Sequence, residues 1–473
     1  MVGKVGVRLA AVDLGASSGR VVLGEVGPHV LQMEAVARFA NEPVRLSDGL
    51  HWDVLALYQR ALEGLAAAAR QAPDLAGVAV DSWAVDYGLL RDGRLLGLPF
   101  HYRDERNATG VERVHAVVPH DELYARNGLQ LLPFNTVYQL AADPWSADAD
   151  HLLLVPDLLG YWLTGGIVTE RTNASTTGLL DVHTGRWDDE LVDRLGLPRR
   201  LLGPLVEPGD VIGPVLPEVG EAIGVPGLQV TAVGSHDTAS AVVGVPIQGD
   251  DAAYISCGTW GLVGLELEQP VLSEASRTAN FTNEGGVDGR IRFLTNVMGL
   301  WLLSETQRTW QRDGTGQPLD RLLGAAAALP ATADVFDVQD PVFLAPGDMP
   351  ERIDKWYADA GLRPPASRPA LVRAIVDSLA QAFADALDRA EQLSGHPVRV
   401  VHLVGGGALN TLLCQATADR SGRPVLAGPV EATALGNLLV QGRTAGALSG
   451  DLEVLRRLVA ETAEIVRYVP GAG

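Results

Sequence analysis

At 473 residues the chain exceeds what one hydrophobic core organises, and its formal charge of -21 disfavours nucleic acid or an anionic membrane as its main partner. Although 47% of its residues are apolar, no uninterrupted run approaches the roughly 20 that a membrane-spanning helix needs. Cys257 and Cys414 are too few for a disulfide framework and have no zinc-site spacing, which suits a reducing cytoplasm. Two domains, 1–245 and 246–473, with a ligand cleft between them are therefore expected. A nucleotide remains compatible with the acidic surface, because it needs only local donors.

The opening MVGKVGVRLAAVDLGASSGR has no basic-then-apolar signal with a small-residue cleavage site, and reads as a first core strand. Residues 7 to 14 and 20 to 26 predict two strands joined by a small, polar tip. Asp13, Ala16, Ser17, Ser18, Gly19 and Arg20 gather amides, hydroxyls and a strand-end carboxylate there. Such a tip can hold phosphate, and Asp13 can hold Mg²⁺ through waters. An ordinary Gly/Ser turn uses the same residues. Helical spacing follows at 54 to 71 and 152 to 164, with strands at 77 to 81, 85 to 91 and 228 to 234. The Pro/Gly-rich stretch 203 to 227 reads as loops.

His236 and Asp237 leave the strand at 228 to 234 and enter small, helix-compatible residues. At a helix N-terminus the dipole favours an ionised Asp237, which can accept a proton from a sugar hydroxyl while His236 donates to it. Spacing alone favours a plain N-cap beside a structural histidine. Residues 252 to 267 repeat the opening pattern of strand, Gly/Ser/Thr turn and strand, with Thr259 at the tip. Asn296 precedes an expected helix at 297 to 310. Beyond it come a helix at 369 to 394, a strand at 398 to 404, the triplet Gly405, Gly406 and Gly407, and a helix at 408 to 421.

Lys4 and Lys355 are the only lysines, and neither lies in a Walker loop or a protein-kinase strand. Gly405, Gly407 and Asn410 come near a dinucleotide fingerprint, but a Rossmann domain starting at 398 would have too little chain left.

Taken in order, VDLGASSGR, DSWAVDY, YRDER, PFNTVYQL, TNASTTGLL, SHDTASAV, YISCGTWGL, TNEGG, NVMGLWLL, HLVGGGALN and GPVEATALGN resemble the rhamnulokinases, a group within the FGGY carbohydrate kinases. The resemblance spans about residues 9 to 440. It implies a two-domain actin/hexokinase-like (ribonuclease H-like) α/β fold with an interdomain cleft, and phosphorylation of L-rhamnulose at its 1-hydroxyl by Mg·ATP. It further implies Asp237 as proton acceptor, with Ala84, His236 and Asn296 at the sugar. Ala16 to Arg20, Thr259, Ser304 and Gly406 would line the ATP site. Two positions depart from the pattern. Ala84 stands where the family has glycine beside the sugar, and Ser304 where it has a nucleotide-contacting glutamine. A sibling kinase for L-fuculose, L-ribulose or D-xylulose, a non-catalytic sugar or nucleotide sensor, and a dehydrogenase are the alternatives. No obligate protein partner is implied.

Overall fold

The computed structural model describes residues 6–471, so the outermost residues of both expected domains lie outside the described residues. It forms two compact units. The first comprises residues up to Gln248 together with Glu266–Phe293 and Ala432–Thr462. The second comprises Gly249–Leu265, Leu294–Glu431 and the residues from Ala463 onward. The first unit thus takes in two segments from the second half of the chain.

The first unit is built on a six-stranded sheet in the order Val211–Pro214, Gln229–Thr231, Gly77–Ser82, Val7–Leu14, Ser18–Gly27 and Val30–Ala40. Val7–Leu14 pairs antiparallel with Ser18–Gly27 and parallel with Gly77–Ser82. Its last six residues are all buried, as expected of a central strand covered on both faces. The helix Val54–Gln71 starts where the Asp53 carboxylate caps the Ala56 amide, and it buries Leu57, Ala61, Leu65 and Ala68 along one stripe. A core of Leu9, Ala11, Val22 and Val26 closes only with Ala434 and Leu438 from the helix Ala432–Thr444. That packing brings the late segment back to the first unit. A further three-stranded sheet, Arg94–Leu95, Tyr87–Arg91 and His151–Leu154, sits on a separate cluster that includes Tyr138, Leu154 and Trp187.

In the second unit Ala252–Cys257 pairs antiparallel with Trp260–Leu267 and parallel with Val400–Val404, which pairs in turn with Val425–Ala427. A hairpin beside a parallel third strand is also the arrangement of Val7–Leu14, Ser18–Gly27 and Gly77–Ser82, so the repeat read from sequence recurs as topology. The long helix Arg368–Ser394 packs on Thr411–Ser421, and its Phe383 ring fills the space where Gly261 has no side chain.

Several elements differ from expectation. The stretch 152 to 164 divides into the strand His151–Leu154 and the helix Val155–Thr164, because its first leucines pair with Leu89 and Gly88 and Pro156 starts the helix. The strand expected from 85 begins at Tyr87, since Val85 has φ of 68°. Asn296 lies inside the strand Ile291–Met298, and the helix after it runs Trp301–Arg312. The helix expected at 408 to 421 begins at Thr411, where the Asn410 carboxamide accepts the Leu413 amide, after a short turn Gly406–Leu409. The region 203 to 227 carries two short strands and the helix Pro217–Ile223. No helix among the described residues is long and apolar enough to cross a membrane.

Candidate active site

His236 stands at the N-cap position of the seven-residue helix Asp237–Val243 without a side-chain capping bond, and the turn before it is held from two sides. The Ser82 amide donates to the Ser235 carbonyl at 2.9 Å, and Ser82 pairs with His236 as a parallel bridge. The buried Glu170 carboxylate accepts the Ser235 amide at 3.0 Å and its hydroxyl at 2.8 Å. Burial raises the Glu170 pKa against those hydrogen bonds. The Asp237 side chain keeps 29% of its surface exposed, whereas that of His236 keeps 7%. The carboxylate is therefore reachable while the imidazole is held in protein.

Asp13 and Arg20 face each other across the first hairpin, with Arg20 Nε and Nη2 each 2.8 Å from Asp13 Oδ2. On the other side Asp13 is in register with Asp81. Asp81 is fully buried, and burial, then the charge of Asp13, holds its pKa well above the usual carboxylate range. The Asn437 amide partly opposes this by donating to Asp81 Oδ2 at 2.6 Å. The hairpin tip is tied by Gly15 N to Ser18 O at 2.8 Å and by Asn41 Nδ2 to Gly15 O at 2.9 Å. Ser17 and Ser18 are exposed there. Gly19 is buried, and a β-carbon on it would lie 2.2 Å from the Phe39 ring. Within the first unit the fold thus gathers Asp13, Arg20, Asp81, His236 and Asp237.

Ala84 is half-buried on the turn after Gly77–Ser82. Its carbonyl accepts the Asp86 amide at 2.9 Å, and Val85 between them has φ of 68°, a strained value for a β-branched residue. The turn is clamped by the buried Asp86 carboxylate, which accepts Trp52 Nε1 at 2.5 Å, Trp83 Nε1 at 3.0 Å, the Tyr102 amide at 3.2 Å and Gln139 Nε2 at 2.7 Å. Burial still pushes Asp86 up to about 6.

In the second unit the hairpin tip that carries Thr259 is met by the turn before the helix that carries Ser304 and by the glycine triplet that contains Gly406. The Leu300 and Trp301 amides, at the start of the helix that carries Ser304, donate to Gly258 O at 2.8 Å and Thr259 O at 3.3 Å. Gly299 lets them approach, because a β-carbon there would meet Trp260 C at 2.5 Å. β-Carbons on Gly405 and Gly407 would meet Cys257 at 2.9 and 2.5 Å, while Gly406 faces open space. Ser304 is exposed. Asn296 is half-buried, with its carbonyl accepting Gln339 Nε2 at 2.8 Å.

The N-terminal domain of the FGGY family of carbohydrate kinases matches residues 9–244, and the C-terminal domain of the same family matches residues 253–445. This chain belongs to the FGGY family of carbohydrate kinases. It is 44% identical to a protein named Rhamnulokinase from Pectobacterium carotovorum subsp. carotovorum (strain PC1), covering 98% of this chain and 93% of the relative. A Rhamnulokinase from Bacteroides thetaiotaomicron is 38% identical, covering 97% and 95%. Among solved structures, ligand-bound xylulose kinase from Lactobacillus acidophilus superposes with a TM-score of 0.79 at 18% identity, covering 98% of this chain and 94% of that one. Plasmodium falciparum glycerol kinase with ADP gives 0.76 at 14% identity with the same coverage. The fold is therefore the two-domain FGGY kinase fold, and the enzyme is a phosphotransferase. A Rossmann dehydrogenase is set aside. The glycines of its near-fingerprint serve instead to seat Gly405 and Gly407 against Cys257.

Sequence reasoning about this FGGY kinase missed Asp81, Asp86, Glu170, Glu284 and Arg292. Asp81 and Asp86 end and follow an apolar strand within DSWAVDY, and Glu284 lies in TNEGG, so the segments were noticed but not these side chains. Arg292 had no such signal. It is fully buried, lies 3.1 Å from Glu284 through Nη1, and meets His236 through Nη2 at 3.0 Å.

Proposed function

We propose that this chain transfers the γ-phosphoryl group of ATP to the 1-hydroxyl of L-rhamnulose, giving L-rhamnulose 1-phosphate and ADP in the cytoplasmic catabolism of L-rhamnose. The observation that carries the choice of sugar is 44% identity over nearly the whole chain to a protein named Rhamnulokinase. In this reading Asp237 aligns the hydroxyl and accepts its proton, an assignment supported by its position at a helix start and its partial exposure. His236, Asn296 and Ala84 hold the sugar. Residues 1–245 supply Ala84, His236 and Asp237 for the sugar and the phosphate hairpin Ala16, Ser17, Ser18, Gly19 and Arg20, and residues 246–473 supply Asn296 for the sugar and Thr259, Ser304 and Gly406 for the nucleotide.

The residues fit Mg²⁺ held mainly by the nucleotide. Asp13 is a strand-end carboxylate paired with Arg20 and in register with Asp81, whose buried Oδ1 has no hydrogen-bond partner. No cluster of three metal-binding side chains occurs among the described residues. That set suits an ion keeping its waters and phosphate oxygens rather than an all-protein cage. When bound, the ion would supply charge neutralisation on the phosphates. Arg20 keeps Asp13 paired, and Asp237 takes the proton.

The test is ADP release with Mg·ATP and L-rhamnulose, beside L-fuculose, L-ribulose, D-xylulose and a no-sugar control. Preference for L-rhamnulose is the expected result. Preference for another ketose would reassign the substrate, and no sugar-dependent ADP from folded protein would overturn the kinase reading of these residues.

A further inference from the structure

Behind Asp237 lies a buried chain of side chains that the reaction as described does not use. Arg292 donates through Nε to the Gly285 carbonyl at 2.9 Å and meets His236 Nδ1 through Nη2 at 3.0 Å. Its Nη1 stands 3.1 Å from Glu284 Oε2 as an ion pair, without the alignment of a hydrogen bond. The other face of the imidazole, Nε2, lies 3.4 Å from Asp237 Oδ1.

A guanidinium can only donate. At 3.0 Å from Arg292 Nη2, His236 Nδ1 must therefore be the acceptor, and in the neutral ring the proton sits on Nε2. We infer that Arg292 is a positioning residue that fixes His236 in the Nε2–H tautomer, so that the ring presents a donor to Asp237 and to the sugar hydroxyl. The inference rests on the sugar-site reading of His236 and Asp237 given above.

Glu284 raises the one competing arrangement, because its Oε2 is 3.3 Å from the same Nδ1. A proton on Nδ1 shared with Glu284 would set two donors face to face at 3.0 Å. The Arg292 charge opposes this by engaging Glu284 itself. Burial pushes the Glu284 carboxyl up and the Arg292 charge pulls it down, and the balance leaves it below the usual range. Glu284 is thus the counter-ion of Arg292. Burying such a pair gains little stability over apolar side chains, whereas the tautomer it selects bears on the chemistry. A bare Nε2 would be a second acceptor competing with Asp237 for the hydroxyl proton. An Nε2–H instead orients the Asp237 carboxylate and leaves it as the single base.

Two measurements on the full chain test this. In protein labelled with ¹⁵N-histidine, the His236 resonances are identified by their loss in His236→Gln. The expected result is a protonated Nε2 and a bare Nδ1, and the opposite tautomer in the unmodified protein would overturn the inference even if no Arg292 variant folds. In steady-state assays, Arg292→Met should lower kcat/KM for the sugar by roughly tenfold or more, with KM for ATP unchanged, while Arg292→Lys, which keeps a donor, recovers most of it. Equal behaviour of the two variants, or wild-type sugar kinetics in folded Arg292→Met, overturns the role of Arg292. If His236→Gln also leaves sugar kinetics unchanged, the failure lies in the sugar-site reading. If it does not, only the positioning role has failed.

Discussion

Replacing Gly436 with alanine should both destabilise the protein and slow it, for one geometric reason. Gly436 lies in the helix Ala432–Thr444, against the helix Asp237–Val243. A β-carbon on Gly436 would sit 1.8 Å from the Ser240 carbonyl oxygen and 2.7 Å from its carbonyl carbon, and the neighbouring contact is also tight, with a β-carbon on Gly244 2.4 Å from the Ala432 carbonyl oxygen. Normal contact needs about 3.5 Å, so the two backbones must part by more than about 1 Å. Neither partner is a flexible side chain that could swing away. Overpacking of this kind costs about 3 kcal/mol at the upper end, and alanine returns about 1 kcal/mol through helix propensity, leaving a net loss of about 2 kcal/mol. For a unit of about 300 residues, with an unfolding entropy of about 2.1 cal/mol/K per residue, that is a fall in Tm of roughly 3 °C. Ser240 is one turn from Asp237, so the same displacement should cut turnover by about a hundredfold. Gly324→Ala is the control, on an exposed helix position where a β-carbon meets nothing within 4 Å, and it should be neutral or slightly stabilising. Calorimetry and the ADP-release assay read both effects. Wild-type Tm and turnover in Gly436→Ala would refute the reasoning.

Other perturbations have equally definite outcomes. Asp237→Asn should leave the Tm near wild type and lower kcat by two or more orders of magnitude, and near-normal turnover would remove it as the base. Asp86 is raised from the usual aspartate value of 3.8 to about 6, so between those pH values the native state holds a proton that the unfolded chain has lost. Stability should therefore fall by about 3 kcal/mol as pH rises through that window and level off above it. Asp86→Asn should remove that part of the slope in urea unfolding, and parallel pH curves for the two proteins would contradict the assignment. Arg456→Met should cost about 3 to 5 kcal/mol, because it strands the buried Glu266 carboxylate that Arg456 grips at 2.7 and 2.8 Å. Thermal melts decide that. Ser304→Gln should lower KM for ATP by roughly two- to tenfold, the scale of one hydrogen bond, without changing KM for the sugar.

What the sequence made legible follows from how local the determining physics is. The hairpin at 7 to 26 was readable because branched apolar runs flank a small polar tip, and the helices at 54 to 71 and 369 to 394 because one apolar stripe recurs at helical spacing. The stretch at 152 to 164 misled because Leu152, Leu153 and Leu154 suit a buried strand and a buried helix equally, and only pairing with Leu89 and Gly88 decides between them. Asn296 misled for a similar reason. The turn at Gly299 and Leu300 that separates strand from helix is set by contact with Gly258, not by local propensity. His236 and Asp237 were found as a motif, but Arg292 is 56 residues away from His236 in sequence and no local pattern announces it. Asp86 was hidden in plain view, since its meaning depends on Trp52 and Gln139 arriving from other elements.

The return of the helix Ala432–Thr444 to the first unit also bears on how the protein is made. Asn437 reaches Asp81 across 356 residues of sequence, and Leu9 and Ala11 have no complete apolar cover until Leu438 is in place. At 5 to 20 residues per second, the growing chain must keep that surface open for roughly 20 to 70 s after residue 81 is added. A message broken before codon 432 would yield no smaller working kinase. It would yield a chain with an unclosed core and an unpartnered acid, the kind of surface that chaperones and proteases engage. Completion of synthesis is in this way a condition for the first core to close.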